Sequence, residues 1–288
     1  MKFKYLSFSA IGVFFATVIM RIVQLLYMVD TGTGFIKQPY KRISFDISVL
    51  IIFLIFALTF FSFYIRRSPV KMPRPNFVLG AVSAGLGLSI LYEVFDMKYA
   101  ERIPAWQIVF LTVFGLLSAV FFIVYGAKGF FKFHLPRITY VLPCFYWVAK
   151  IICTFSEISS IALITDNVFI IASYCAVLIF MLEFAKLANF IDVNKNYKKM
   201  FPAAICSILL SAVYCVPRVL ITIFGKGNVL HQDVTPVISV FFTFLFILVF
   251  SYYHFGNKNL IKKKHHRSST KFMPGNGGDQ FYTDYKRH

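Results

Sequence analysis

Eight blocks of about twenty consecutive apolar residues recur along this chain, and that pattern leaves few folds open. A helix of ~20 residues crosses a hydrocarbon layer ~30 Å thick. Inside lipid every backbone N–H and C=O must find its partner within the protein, which a helix achieves by itself. The blocks run approximately Tyr5–Met28, Ile43–Ile65, Asn76–Phe95, Pro104–Tyr125, Tyr140–Ser160, Val168–Phe190, Pro202–Phe224 and Val234–Phe255. The expected fold class is therefore all-α, a polytopic membrane bundle of about eight transmembrane helices. Composition agrees: 58% of residues are hydrophobic and 15% charged. Soluble domains carry about 25% charged residues, so a soluble enzyme, a disulfide-rich module and a disordered chain are all excluded.

The third block is diluted by glycine. Its pairs Gly80/Ala84, Ala81/Gly85 and Ser83/Gly87 have the small-xxx-small spacing that lets helix backbones approach closely, so it reads as a packing helix. Pro217 lies inside the seventh block and predicts a kink there.

The net charge of +18 is spread unevenly between the spans. The N-terminus, every second loop and the start of the tail carry 18 lysines and arginines. The opposite side carries 6: Lys37, Lys41, Arg42, Lys98, Arg102 and Lys226. By the positive-inside rule both termini are cytoplasmic. Tyrosines near span ends (Tyr5, Tyr64, Tyr92, Tyr125, Tyr140, Tyr252, Tyr253) and Trp106 read as interfacial anchors. The first apolar run is long, holds Arg21 and ends without a small-residue cleavage site, so it reads as a retained helix and not a signal peptide. Residues 1–256 form the membrane domain, and 257–288 read as a disordered basic cytoplasmic tail. Within the tail, Lys262, Lys263, Lys264 and Arg267 are placed to touch anionic lipids at the cytoplasmic face, and no nucleic-acid partner is expected.

Ionisable groups inside a span cost roughly 2.5–3.5 kcal/mol each on insertion, so each needs a reason. In the assigned topology Arg21, Gln24, Asp46, Glu93, Glu157 and Arg218 fall in the outer half, with Lys150 near the middle. Two arrangements account for them. They are interhelical ion pairs that fix the bundle, or they line an outward-facing polar cavity that binds a small polar or charged ligand. Clustering in one leaflet favours the cavity. Lining of one open cavity would support binding, and separate pairing in a dry core would count against it. Glu93 and Asp96, one turn apart, could also share a proton, although Asp96 begins a polar stretch and reads as solvated. Glu183 and Lys186 read as a local i,i+3 pair with Lys186 reaching to the cytoplasmic surface.

The chain holds no HExxH, GxSxG, P-loop or dinucleotide motif, so no enzyme activity and no cofactor is expected. The five cysteines lie within spans without CxxC spacing, which argues against disulfides and a metal site. Helix 1 closes with Arg21 and Gln24, followed by Asp30-Thr31-Gly32-Thr33-Gly34-Phe35. This stretch resembles a pattern common in uncharacterised multispanning membrane proteins of Firmicutes. The resemblance implies a protein of a bacterial cytoplasmic membrane and brings no activity with it. The expected function is small-solute transport or sensing through the outward-facing cavity. The alternative is an accessory or scaffold subunit docked on a membrane protein partner.

Overall fold

The computed structural model describes residues 3–29, 36–64, 76–97, 104–131, 135–158, 165–191, 193–224 and 234–256. Its regular elements are all helical among these residues, and eight helices are long and apolar enough to cross a membrane, the pattern of a multi-pass membrane protein. They are α1 (Phe3–Val23), α2 (Lys41–Phe63), α3 (Phe77–Met97), α4 (Ala105–Ala127), α5 (Leu142–Ile158), α6 (Thr165–Ala188), α7 (Val193–Ile223) and α8 (Val234–Ser251). The tail with Lys262, Lys263, Lys264 and Arg267 lies outside the described residues, as does the stretch 30–35.

Six helices close a ring. α3 packs on α4, α4 on α5, α5 on α6, α6 on α7, α7 on α8, and α8 returns to α3. α1 and α2 lie against the outside of this ring along α7. Between α3 and α4 the backbones meet through small residues, and Ser83 Oγ donates to the Phe122 carbonyl at 2.8 Å. α6 and α7 are joined by a Ser207 bond to the Ala176 carbonyl (2.7 Å) and by a Ser173–Ser211 hydroxyl pair (2.9 Å). Lipid gives apolar surfaces little reason to associate, so close packing and such polar contacts hold the ring.

Side chains fill the ring in two layers. At the end where α4, α6 and α8 finish, Phe122, Tyr125, Phe184, Phe246 and Phe250 pack with centroids 5.3–6.2 Å apart, edge to face except for the stacked pair Phe246–Phe250. Tyr140, in the 3-10 turn before α5, completes this plug. Tyr125 and Tyr140 are thus core residues, 0% and 5% exposed, and not the interfacial anchors their positions suggested. Their place near span ends is right, but both rings turn inward to the aromatic cluster. Tyr64, Tyr92, Tyr252 and Trp106 are exposed, as anchors should be. α7 departs from expectation as well. It starts at Val193 and continues through Pro202, nine residues before the apolar block begins, because a polar helical turn leaves no hydropathy signal.

Candidate functional site

The other end of the ring, where α1 ends and α2 begins, holds a polar layer. α1 widens there into a π-helical turn over Gln24–Met28, a geometry often found at functional sites. Gln24 Oε1 accepts from Arg21 Nη1. Gln24 Nε2 donates to the Ser44 carbonyl (2.9 Å), the Ser44 hydroxyl (2.5 Å) and the Ser48 hydroxyl (3.0 Å). Ser44 and Ser48 are one turn apart, so both point from α2 towards α1. The Arg21 guanidinium lies 4.7 Å above the Phe169 ring of α6, a cation–π contact.

Arg218 of α7 stacks on its neighbour Tyr214, with Cζ 4.1 Å from the ring centre. Its Nη1 donates to the Tyr214 carbonyl at 3.2 Å. Arg21 and Arg218 are both buried, so two guanidinium groups are held in this layer. Across the ring Lys150 of α5 pairs with Glu93 of α3, and Tyr146 donates its hydroxyl to Glu93 Oε2 at 2.9 Å. Lys150 Nζ also faces the rings of Tyr146 (5.9 Å) and Tyr174 (5.5 Å). Tyr174 of α6 thus joins the layer on the Lys150 side, and its own ring packs on Trp147 with centroids 5.5 Å apart.

Five of the seven sequence-predicted residues are brought into this layer: Arg21, Gln24, Glu93, Lys150 and Arg218, each 1–3% exposed. Asp46 is not among them. It sits two residues from both Ser44 and Ser48, which turns it to the exposed face of α2. Glu157 lies in α5, but its side chain is outside what the structure describes. Asp96 is exposed at the end of α3 while Glu93 is buried, so the two do not share a dry site. At the opposite end Lys186 Nζ meets Glu183 Oε1 at 2.9 Å, with Lys186 46% exposed, as the i,i+3 spacing predicted. Neither expected arrangement holds in pure form. Glu93 and Lys150 pair in a dry core, whereas Arg21 and Gln24 sit directly behind the wall of a pocket, through Phe169 and Ser48.

Sequence reasoning missed the aromatic members of the layer: Tyr146, Trp147, Tyr174 and Tyr214, each 0–1% exposed. A signal was present, since tyrosines in membrane helices gather at span ends and these three lie well inside theirs. Two of the four carry a further property. Trp147 Nε1 and Tyr214 Oη are buried and make no hydrogen bond among the described residues. Buried polar groups in proteins are nearly always paired. The five cysteines are free thiols, and no group of His, Cys, Asp or Glu is arranged to hold a metal ion among the described residues. Comparison with protein-family models, with curated proteins and with solved structures finds no match for this chain.

Proposed function

We propose that this protein is a bacterial cytoplasmic-membrane protein that binds a small polar, acceptor-rich solute in the layer above the aromatic plug, for transport or sensing. The observation that carries this reading is the pair of buried donors, Trp147 N–H and Tyr214 O–H, unsatisfied within the layer that holds Lys150, Arg218 and Arg21. A hydrogen bond from such a donor to a charged acceptor contributes about 1.5–3 kcal/mol, so a solute bearing carboxylate, phosphate or several hydroxyl oxygens would suit them. The aromatic plug closes the ring below the layer, which fits a site reached from one side. Glu157, where the sequence placed a further polar group, and the solvated Asp46 are not needed for this reading.

Native mass spectrometry of the whole protein, released gently from its own membrane, provides the test. The expected result is a stoichiometric small-molecule adduct that weakens about tenfold in Trp147→Phe and in Tyr214→Phe and disappears in Arg21→Ala. Each aromatic substitution removes a donor while keeping nearly the same shape. A lone protein with no adduct, or an adduct indifferent to all three changes, would sink the reading. A stoichiometric protein partner would make the chain an accessory subunit instead.

The positive-inside bias supports placing both termini in the cytoplasm, so the polar layer would face outward. A second prediction follows. Single cysteines introduced at residues 2 and 288 of a cysteine-free variant should both resist a membrane-impermeant thiol reagent in whole cells, while one at residue 38 should react. Labelling at both termini, with residue 38 protected, would reverse the orientation and turn the site towards the cytoplasm, and labelling at one terminus alone would overturn the even number of spans.

A further inference from the structure

A second site lies beside the polar layer. A pocket of about 670 Å³ opens between α2 and α6 at the end where α2 begins, and Ser48 and Phe169 separate it from Gln24 and Arg21. We propose that this pocket binds a membrane lipid with an anionic phosphate headgroup, taken in sideways from the bilayer. The proposal does not depend on the solute reading above, since it concerns different residues and a different ligand.

Polarity along α2 is graded as a lipid is graded. Lys41 and Arg42 form the mouth, both exposed, and neither makes a salt bridge among the described residues. Phe45, Val49 and Ile52 follow down the same side of the helix, about one turn apart. From Arg42 to Ile52 the helix descends ~15 Å at ~1.5 Å per residue, about half of a ~30 Å hydrocarbon core. Two cations at the level of the headgroups over an apolar wall one leaflet deep match a phosphate followed by an alkyl chain. A water-soluble anion would occupy the mouth and leave that wall uncovered.

The pocket also opens in the right direction. Phe45 and Val49 on one wall and Val168 on the other are 65%, 49% and 44% exposed, on the flanks of helices that span the membrane. Its volume falls within the range of ligand sites that enclose most of their occupant. Arginine favours phosphate through its planar, bidentate donor geometry, and lysine adds a compact charge. A chain lying against Phe169 would cover the ring on which Arg21 stacks, so occupancy of this pocket and the state of the polar layer touch at one side chain.

The test is lipid titration of the whole protein in mild detergent, read by native mass spectrometry with phosphatidylglycerol, phosphatidylcholine and glycerol 3-phosphate. One phosphatidylglycerol per protein is expected, held at least tenfold more tightly than phosphatidylcholine, with glycerol 3-phosphate not retained. Val49→Trp and Val168→Trp each fill the pocket from an exposed position that leaves the core untouched, and each should weaken phosphatidylglycerol at least tenfold. Lys41→Gln with Arg42→Gln should erase the preference for phosphatidylglycerol over phosphatidylcholine. Phosphatidylglycerol binding unchanged by both tryptophans would mean annular lipid only, and glycerol 3-phosphate bound as tightly as the lipid would mean a soluble anion; either overturns the proposal. Tyr214→Phe should leave the lipid adduct intact, so failure of the solute reading and failure of this one are told apart.

Discussion

Lys150→Met should lower the stability of this protein by about 3–5 kcal/mol, and adding Glu93→Leu should restore most of it. Lys150 and Glu93 pair at side-chain exposures of 4% and 1%, so neither charge has water to fall back on. Removing one partner of a buried pair leaves the other uncompensated, which costs about 3–5 kcal/mol, whereas replacing both with apolar side chains is often neutral. Glu93 would keep only the Tyr146 hydroxyl, one donor for a carboxylate that now has two. Glu93→Leu alone should cost somewhat less, because the ammonium of Lys150 still lies against the faces of Tyr146 and Tyr174. The measurement is the midpoint of unfolding as sodium dodecyl sulfate replaces a mild detergent, followed by tryptophan fluorescence. Trp147 is fully buried three residues from Lys150 and reports on this layer. Losses that simply add in the double variant would show that the two groups do not depend on each other and would remove the pair from the account of the fold.

That pairing also marks how far the sequence can be read. Membrane spans are legible because lipid demands an unbroken apolar length, and the expected Pro104–Tyr125 and Val168–Phe190 differ by two residues or fewer at either end from the apolar helical stretches Ala105–Ala127 and Val168–Ala188. Helix faces are legible over one or two turns, so Arg21 with Gln24 and Glu183 with Lys186 came out as neighbours. Which helix faces which is not a local property. Nothing in the spacing says that Glu93 meets Lys150, 57 residues away, or that Gln24 meets Ser44 and Ser48 while Asp46 between them turns outward. Charge drew attention to the right layer but hid its aromatic members. Tyr146, Trp147, Tyr174 and Tyr214 are polar only at their tips, and hydropathy counts them with the apolar residues around them.

Gly126→Ala should destabilise the bundle by about 1–3 kcal/mol and Gly126→Leu should prevent the helices from assembling. A Cβ on Gly126 would stand 2.6 Å from the Gly80 carbonyl oxygen and 2.9 Å from the Ala84 nitrogen. A Cβ on Gly80 would stand 2.7 Å from the Gly126 carbonyl oxygen in return. Both obstacles are backbone, so no rotamer change relieves them, and α3 and α4 must move apart. The small-xxx-small spacing on α3 predicted such a contact, and the structure supplies its counterpart on α4. Separation would break the Ser83 bond to Phe122 and reach further along α3. Glu93 is carried on the same rigid helix ~20 Å beyond Gly80, at ~1.5 Å per residue, so a tilt at the crossing displaces it from Lys150. Gly80→Ala should therefore cost as much as Gly126→Ala, and the two together should not rescue each other, because each strikes the other's backbone. Gly12, inside α1 with nothing within 4 Å of its Cβ position, is the control, and Gly12→Ala should leave the unfolding midpoint unchanged or raise it slightly. A Gly126→Ala variant as stable as the parent would mean that α3 and α4 do not cross at these glycines.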